Sequence, residues 1–312
     1  MTALGLDVGG SFLKLVVLDD ANSLLRSEQL EIPDADVLSF VVEVTRKAMV
    51  EDKTDSVGLG LAGLVRQPEG EFVWGPHLRG TSLPYRAELS ELLGRDVAVD
   101  NDANLAAYAE WSLGAGERQD PMVMITLGTG IGMGLIIGGQ VYRGASFAGE
   151  AGHMEITTEG ELCSCGRRGC WETLVSGASL DRLAARLVES DPIGDVATAA
   201  GGAPPKGAHL AVAAASGDRV ALEAVAEVGH WLGRGIANLV LILDPVRVVI
   251  GGAAAAMGEP LLEPARRVLA ESMSGSGVRP EVPIVVARFG LLSGAVGAAL
   301  AGREVQNGAH DR

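Results

Sequence analysis

Residues 3–18 read ALGLDVGGSFLKLVVL, an apolar run that a glycine-rich turn interrupts once. Ala3–Val8 predicts a buried strand, Gly9-Gly10-Ser11 a reversal of the chain, and Leu13–Leu18 the returning strand. The backbone N–H groups of such a turn can cradle phosphate oxygens, while Asp7 at the strand end can hold Mg²⁺ through water. An ordinary hairpin is the alternative, and for a single turn it is favoured because short glycine patterns recur by chance.

A second stretch repeats this plan of strand, glycine turn and strand. Residues 123–137 read VMITLGTGIGMGLII, with Gly128-Thr129-Gly130 at the turn. A third strand, Val246–Ile250, ends in Gly251-Gly252. The repetition predicts an internally duplicated protein of two lobes with a central cleft, and it favours nucleotide binding at the turns over ordinary hairpins.

Helical spacing and short apolar strands alternate through the rest of the chain, which predicts an α/β fold. We expect helices at 36–50, 102–113, 179–189, 219–243, 263–273 and 293–303, and strands at 56–61, 96–99 and 284–287. Residues 191–208 are rich in Gly, Ala and Pro and predict a loop, and the tail from Glu304 is expected to fray. A smaller lobe would comprise residues 1–117 with the terminal helix at about 292–304, and a larger lobe residues 118–291.

Composition excludes several classes of partner. The 312 residues carry 25 Lys and Arg against 40 Asp and Glu, a formal net charge of −15. Nucleic acid and anionic membrane both require basic patches, so neither is expected as a partner. The uncharged segment 121–142 contains alternating glycines and suits buried strands better than a spanning helix. We therefore expect a cytoplasmic protein that binds small molecules and has no targeting segment.

Polar residues crowd the start of one predicted helix. Residues 100–104 read Asp-Asn-Asp-Ala-Asn, whereas capping a helix needs only one Asp or Asn. An Asp in the first turn of a helix faces the positive end of the dipole and should stay ionised. Asp102 could then accept a proton from a substrate hydroxyl during phosphoryl transfer.

All three cysteines, Cys163, Cys165 and Cys170, lie within eight residues. His153, ten residues upstream, could complete a Cys₃His tetrahedral zinc site, and with four protein ligands this Zn²⁺ would be structural. Glu150 precedes His153 by three residues, so the two side chains would share one side of a helix. That pair alone is a weak signal, because Glu and His are common on solvated surfaces.

These motifs resemble the ROK family when they are taken in order along residues 4–302. They are Asp7-Val-Gly-Gly-Ser-x-x-Lys14, Asn101-Asp102-Ala103-Asn104, Glu150-x-Gly-His153 and Cys163-x-Cys-Gly-x-x-Gly-Cys170-x-Glu172. The resemblance implies an actin-like ATPase (ribonuclease H-like) fold, with ATP and Mg²⁺ in the cleft, and commonly a homodimer.

The resemblance also implies a role for each matching residue. Asp102 would be the general base that takes the proton from the 6-hydroxyl of a sugar. The sugar would be bound by Gly63, Asn101, Asp102, Glu150, His153 and Glu172, with His153 also ligating zinc. The nucleotide would be bound by Asp7, Gly9, Gly10, Ser11, Lys14, Gly128, Thr129, Gly130, Gly251 and Gly252. The function implied is ATP-dependent phosphorylation of a hexose, first of all glucose to glucose 6-phosphate.

The chain departs from the usual family pattern in one loop, residues 76–81, which read Pro-His-Leu-Arg-Gly-Thr. Family glucokinases tend to carry Pro-Asn-Leu and then Gly-Trp there. If His77 and Arg79 face the sugar, the substrate would be an amino sugar, an N-acetyl sugar, fructose or a sugar-like cyclitol. If they point to solvent, the change is loop variation.

Two functions from other classes are less favoured. A sugar-sensing repressor would need a helix-turn-helix domain before the first hairpin, whose strand begins at residue 3, and the charge of −15 disfavours DNA. A non-catalytic sugar-binding regulator would have no need of Asp7, Asp102 and both glycine turns.

Overall fold

A computed structural model of the chain describes residues 2–33, 36–76, 78, 80–273, 275 and 278–308. Contacts between Cα atoms divide the chain into two compact units. The first unit comprises Met1–Arg118, Gly134–Gly149 and Leu291–Arg312, and the second Gln119–Met133 and Glu150–Gly290. Residues 134–149, which the sequence-based division placed in the larger lobe, therefore group with the first unit.

Strands and helices follow one another along the described chain. The strands are β1 (Thr2–Val8), β2 (Phe12–Leu18), β3 (Leu24–Glu31), β4 (Thr54–Leu61), β5 (Leu64–Arg66), β6 (Glu71–Trp74), β7 (Val97–Asn101), β8 (Met122–Leu127), β9 (Ile131–Ile137), β10 (Gln140–Val141), β11 (Arg247–Gly251) and β12 (Ile284–Val286). The α-helices are α1 (Val37–Glu51), α2 (Tyr85–Leu93), α3 (Asp102–Leu113), α4 (Glu172–Val175), α5 (Gly177–Ser190), α6 (Asp195–Ala200), α7 (Gly207–Ala215), α8 (Arg219–Leu243), α9 (Glu259–Ser272) and α10 (Ser293–Gln306).

Two five-stranded sheets share one strand plan. The first has the order β3-β2-β1-β4-β7, and the second β10-β9-β8-β11-β12. In the first sheet β1 is antiparallel to β2 and parallel to β4, which is parallel to β7. In the second, β11 is parallel to both β8 and β12. The predicted α/β fold with a duplicated plan is confirmed.

The core of the first unit depends on close approach of α10 to the sheet. Buried aliphatic residues of β1, β2, β4 and β7 pack with α1 and α2 on one face. On α10 the buried residues are mostly Ala and Gly, and they meet Gly5 of β1 and Gly58 of β4. A Cβ at Gly58 would overlap the backbone carbonyl of Ala298. The sheet and helix thus touch through their backbones.

Two expectations from the sequence are corrected. Residues 191–208 are not a plain loop, because α6 lies inside them and buries Val196 and Ala200. The helix expected at 293–303 continues to Gln306, with Val305 buried and Glu304 bonded to Tyr108. Seven elements were not predicted: β3, β5, β6, β10, α2, α4 and α7. β3 is an edge strand with few buried residues, so it lacks the apolar run that identifies the others.

None of the helices in the described residues combines the length and apolar character needed to cross a bilayer.

We predict that Gly58→Ala lowers the free energy of unfolding by about 3 kcal/mol or more, because the added methyl group must displace α10. Gly94→Ala is the control. Gly94 adopts φ 66° with nothing within 4 Å of an added Cβ, so only backbone strain of about 1 to 2 kcal/mol is expected. Urea denaturation measures both variants, and equal losses would contradict the close-approach argument.

Candidate functional site

The first glycine turn presents a carboxylate that is already oriented. Asp7, the next-to-last residue of β1, lies opposite Lys14 of β2, and its carboxylate accepts a 2.9 Å bond from Lys14 Nζ. Asp7 is buried, and an added Cβ at Gly294 of α10 would lie 3.0 Å from its carboxylate. Gly9 N–H closes the turn by donating to Phe12 O at 3.0 Å. Gly10 and Ser11 are exposed, so this turn can meet a ligand.

The polar run at the start of α3 forms a connected hydrogen-bond network. Asn101 caps the helix by accepting from Asn104 N–H at 3.0 Å. Its amide donates to Gly63 O at 3.0 Å and to Asp102 Oδ1 at 3.1 Å. Asp102 Oδ1 also accepts from Ala103 N–H at 2.9 Å. The structure thus brings together three residues predicted to bind sugar, and the helix N-terminus favours negative charge on Asp102.

In the second unit, the turn at Gly128-Thr129-Gly130 is hydrogen-bonded to the N-terminus of α5. Gly128 O accepts from Gly177 N–H at 2.7 Å, at the beginning of α5. A Cβ at Gly177 would lie 2.7 Å from that oxygen, so the approach requires glycine. Gly252, with φ 81°, lies equally close to Leu127 at the end of β8. Both predicted nucleotide segments of this unit therefore meet at one strand end.

Cys163, Cys165, Cys170 and His153 form a single cluster, with one ligand atom from each all within 4.8 Å of one another. Cys163 Sγ lies 3.5 Å from His153 Nδ1, and Cys165 Sγ lies 3.6 Å from Cys170 Sγ. Ligand atoms around a tetrahedral zinc ion are separated by about 3.5–3.8 Å. The four donors therefore fit such an ion in both chemistry and spacing.

Ionisation in this cluster depends on its surroundings. Burial raises the pKa of the Cys163 thiol to about 12, and the hydrogen bond to Glu172 acts in the same direction. Burial also opposes ionisation of Cys165, but hydrogen bonds from the backbone and side chain of Arg167 prevail and lower its pKa to about 6. Arg167 also donates to His153 O at 3.0 Å. This cation can offset the net negative charge of three thiolates around a divalent ion.

Glu172 links the cysteine cluster to the second glycine turn. Glu172 Oε1 accepts from Cys163 Sγ at 3.0 Å and lies 3.7 Å from His153 Nδ1. Its other oxygen, Oε2, would lie 2.6 Å from a Cβ at Gly130. A side chain predicted to bind sugar thus touches both a metal ligand and the predicted phosphate turn.

Glu150 lies on the other side of the imidazole. Its carboxylate oxygen is 3.9 Å from His153 Nε2, where a short 3₁₀ helix, Ala151–His153, replaces the α-helix considered from the spacing. Burial raises the pKa of Glu150, His153 lowers it, and Glu172 raises it. With Nδ1 turned to the cysteines, Nε2 is the imidazole nitrogen that faces Glu150.

Sequence reasoning does not single out Trp171 or Arg143. Trp171 is fully buried between Cys170 and Glu172, and its Nε1 donates to Trp231 O at 2.9 Å. Arg143 pairs with Asp100 beside the capping network. Asp100, a carboxylate in a buried strand directly before Asn101, needs a cationic partner, but the sequence does not indicate which residue provides it.

His77 and Arg79, on which the sugar alternatives depend, lie outside the described residues.

The model of the ROK family matches residues 3–304. The chain belongs to the ROK family. A glucokinase of Streptomyces coelicolor is 32% identical to this ROK protein over 308 residues, covering 96% of this chain and 97% of the relative. A putative xylose repressor of Caldicellulosiruptor sp. is also 32% identical, over 276 residues, covering 85% and 69%.

Among solved structures, this ROK chain is similar to a ROK family glucokinase from Streptomyces griseus in complex with glucose and AMPPNP. The two share 32% identity and a TM-score of 0.88, covering 97% of this chain and 100% of the other. The resemblance identified from the motifs is confirmed, as is the fold class.

We predict that Gly235→Ala disturbs the packing of Trp171 beside the cysteine cluster. A Cβ on Gly235 of α8 would overlap the indole of Trp171, which stands between Cys170 and Glu172. We expect a loss of about 3 kcal/mol in unfolding free energy and a weaker near-UV circular dichroism band from tryptophan. Leu241→Ala on the exposed face of α8 is the control, with an expected change within about 0.5 kcal/mol. An unchanged spectrum in Gly235→Ala would contradict this packing.

Proposed function

We propose that this ROK protein is an ATP-dependent hexose kinase whose first substrate is glucose and whose product is glucose 6-phosphate. The observation that carries the proposal is the position of Asp102 at the N-terminus of α3, with its carboxylate held by Asn101 and Ala103. The likeness over nearly the whole chain to a glucokinase solved with glucose and AMPPNP supports the choice of both substrates.

Asp102 is the general base in this proposal. As the sugar O6 attacks the γ-phosphorus of ATP, the bond from that phosphorus to the β,γ-bridging oxygen breaks and ADP leaves. The proton of the 6-hydroxyl passes to the Asp102 carboxylate. The amide of Asn101 fixes the orientation of this carboxylate, since it donates to Oδ1.

Residues of the two glycine turns bind the nucleotide in this proposal. Gly9, Gly10 and Ser11 offer backbone N–H groups, and Lys14 offers a cation to the phosphates. Gly128, Thr129 and Gly130 do the same from the second turn, and Gly251 and Gly252 face the adenosine. Asp7 fits Mg²⁺ held through water, since Mg²⁺ bound with phosphate commonly takes one or two carboxylates and keeps several waters.

Sugar hydroxyls other than the 6-hydroxyl are bound by Gly63, Asn101, Glu150, His153 and Glu172. The carboxylates accept from hydroxyl groups, while His153 Nε2 can donate when Nδ1 is a metal ligand.

The metal of the cysteine cluster is Zn²⁺ in this proposal, and its role is structural. All four tetrahedral positions are taken by Cys163, Cys165, Cys170 and His153, which leaves none for substrate. Zinc would fix the imidazole of His153, and by ordering the loop that ends at Cys170 it would hold the backbone of Glu172, two residues further on. A homodimer belongs to the proposal as well, and light scattering of the purified protein tests it.

We predict that glucose gives the highest kcat/KM when ADP release with Mg²⁺-ATP is measured across a panel of sugars. The panel includes mannose, fructose, N-acetylglucosamine, N-acetylmannosamine, glucosamine and a valiolone-like cyclitol.

Asp102→Asn should lower kcat by about 10²- to 10⁴-fold while glucose still binds in calorimetry, because only the base is lost. Asp20→Asn, on an exposed turn, is the control.

Three outcomes decide between the functions. A better turnover of another sugar would replace glucose as substrate and direct attention to His77 and Arg79. An active Asp102→Asn variant would refute the assignment of the base. Sugar binding without turnover in the wild type would favour a regulator over a kinase.

We predict that Cys165→Ser lowers the zinc content from one ion per chain towards zero and weakens glucose binding, because Glu172 and His153 lose their support. Atomic emission spectroscopy and calorimetry measure the two effects. Glu161→Gln is the matched control, since it changes an exposed residue of the same loop and leaves all four donors in place. Retention of a full zinc complement in Cys165→Ser would refute the ligand set.

A further inference from the structure

Asp100 is a buried carboxylate that lies directly before Asn101 and Asp102. It is 5% exposed, and its Oδ2 is contacted by Arg143 Nη2 at 2.6 Å and by Nε at 2.8 Å. A buried charge without a partner is costly, so Arg143 is what allows an ionised aspartate at this position. Both residues belong to the first unit.

The other oxygen of Asp100 holds the polar run itself. Asp100 Oδ1 accepts from Asn101 N–H at 2.7 Å and from Asn104 Nδ2 at 3.2 Å. Asn104 is 3% exposed and sits one turn into α3. One carboxylate therefore connects the guanidinium of Arg143 to both ends of the first turn of α3.

The contacts continue from Asn101 to Asp102. Asn101 Nδ2 donates to Asp102 Oδ1 at 3.1 Å, and Asn101 Oδ1 accepts from Asn104 N–H at 3.0 Å. A shift of the Asn101 backbone would thus move the cap of α3 and the carboxylate of Asp102 together. The path from Arg143 to Asp102 consists of three hydrogen-bonded steps.

Arg143 is itself fixed by the segment that carries it. Its Nη1 donates to Val141 O at 3.2 Å. Three residues further on, the Ser146 hydroxyl bonds to the backbone of Gln67, whose side chain donates to Val99 O at 2.7 Å. Val99 immediately precedes Asp100. The guanidinium therefore approaches Asp100 from a segment that is anchored to the same strand, β7.

We propose that Arg143 is a positioning residue for phosphoryl transfer, which holds Asp102 in its reactive orientation through Asp100 and Asn101. This inference rests on the proposed function, since it takes Asp102 as the base. Arg143 acts here through Asp100 and not by touching sugar or nucleotide. Lysine cannot replace it fully, because one ammonium group cannot direct nitrogens at both Asp100 and Val141 in the way a guanidinium does.

Steady-state kinetics of four variants test the proposal. They are Arg143→Ala, Arg143→Lys, Asp100→Asn and the double variant that combines Arg143→Ala with Asp100→Asn. We expect Arg143→Ala to lower kcat by about 10- to 100-fold, with the KM for ATP within about twofold of wild type, and Arg143→Lys to recover part of the loss. The double variant should be no slower than Arg143→Ala, because both residues act along one path and Asp100→Asn removes the unpaired charge. Arg66→Ala, which breaks an exposed ion pair with Glu71, is the control.

Amide hydrogen exchange gives a second readout that does not need turnover. In Arg143→Ala, exchange at residues 101–106 should rise by about tenfold or more, while β8 and β11 of the second unit keep wild-type protection. If Arg143→Ala does not fold, Arg143→Lys, which keeps the charge, must show a smaller rise in exchange at the same residues.

The outcomes separate this inference from the proposed function. Wild-type exchange at residues 101–106 in a folded Arg143 variant would overturn the inference, and so would an unchanged kcat. Loss of protection throughout the first unit with an unchanged kcat per folded molecule would show a merely structural role and also overturn it. A wild-type protein that phosphorylates no sugar would refute the proposed function, whereas the exchange experiment would still decide whether Arg143 holds the start of α3.

Discussion

Backbone-to-backbone contact at glycine is the constraint on which the architecture of both units depends. In the first unit Gly5 and Gly58 let α10 lie directly on the sheet, and in the second Gly177 and Gly252 let chain segments reach the end of β8. A side chain at any of these positions would force the segments apart. The functional groups at the strand ends are then carried by a frame with little freedom to shift, which suits a site that must hold charged groups in fixed orientations.

In each unit, one carboxylate adds side-chain contacts to these backbone contacts. In the first unit Asp100 uses both carboxylate oxygens to join Arg143, Asn101 and Asn104. In the second unit Glu172 joins Cys163 to the turn at Gly130. Each network contains a carboxylate whose burial would be costly without hydrogen-bond partners.

Much of the fold and of the candidate site could be predicted from the sequence, for identifiable physical reasons. The strands around Asp7 and Thr126 are largely buried, and glycines interrupt the apolar run after each of them, so the order of residues marks both strands. The proximity of the three cysteines and His153 could be predicted because their spacing is typical of a zinc site. β3 escaped prediction because an edge strand needs no continuous apolar run, and α6 because its six residues are too few to show a helical period.

The partner of Asp100 could not be found in the same way. Residue 143 is far from residue 100 in sequence, and its pairing is set by the register of a hairpin and by a loop anchored on Gln67. Local patterns carry no information on such a contact. The same holds for Gly235, whose importance comes from the indole of Trp171 lying against it and not from any property of α8.

The carboxylate of Glu172 has a consequence for sequence variation in this family. Because Oε2 occupies the space that a Cβ at position 130 would need, the two positions are not independent in the changes they can accept. A larger residue at 130 would displace Oε2, the end of a flexible side chain, from the turn, and a shorter side chain at 172 would withdraw the acceptor from Cys163. The second glycine turn and the cysteine loop, some forty residues apart in the chain, therefore share the side chain of Glu172.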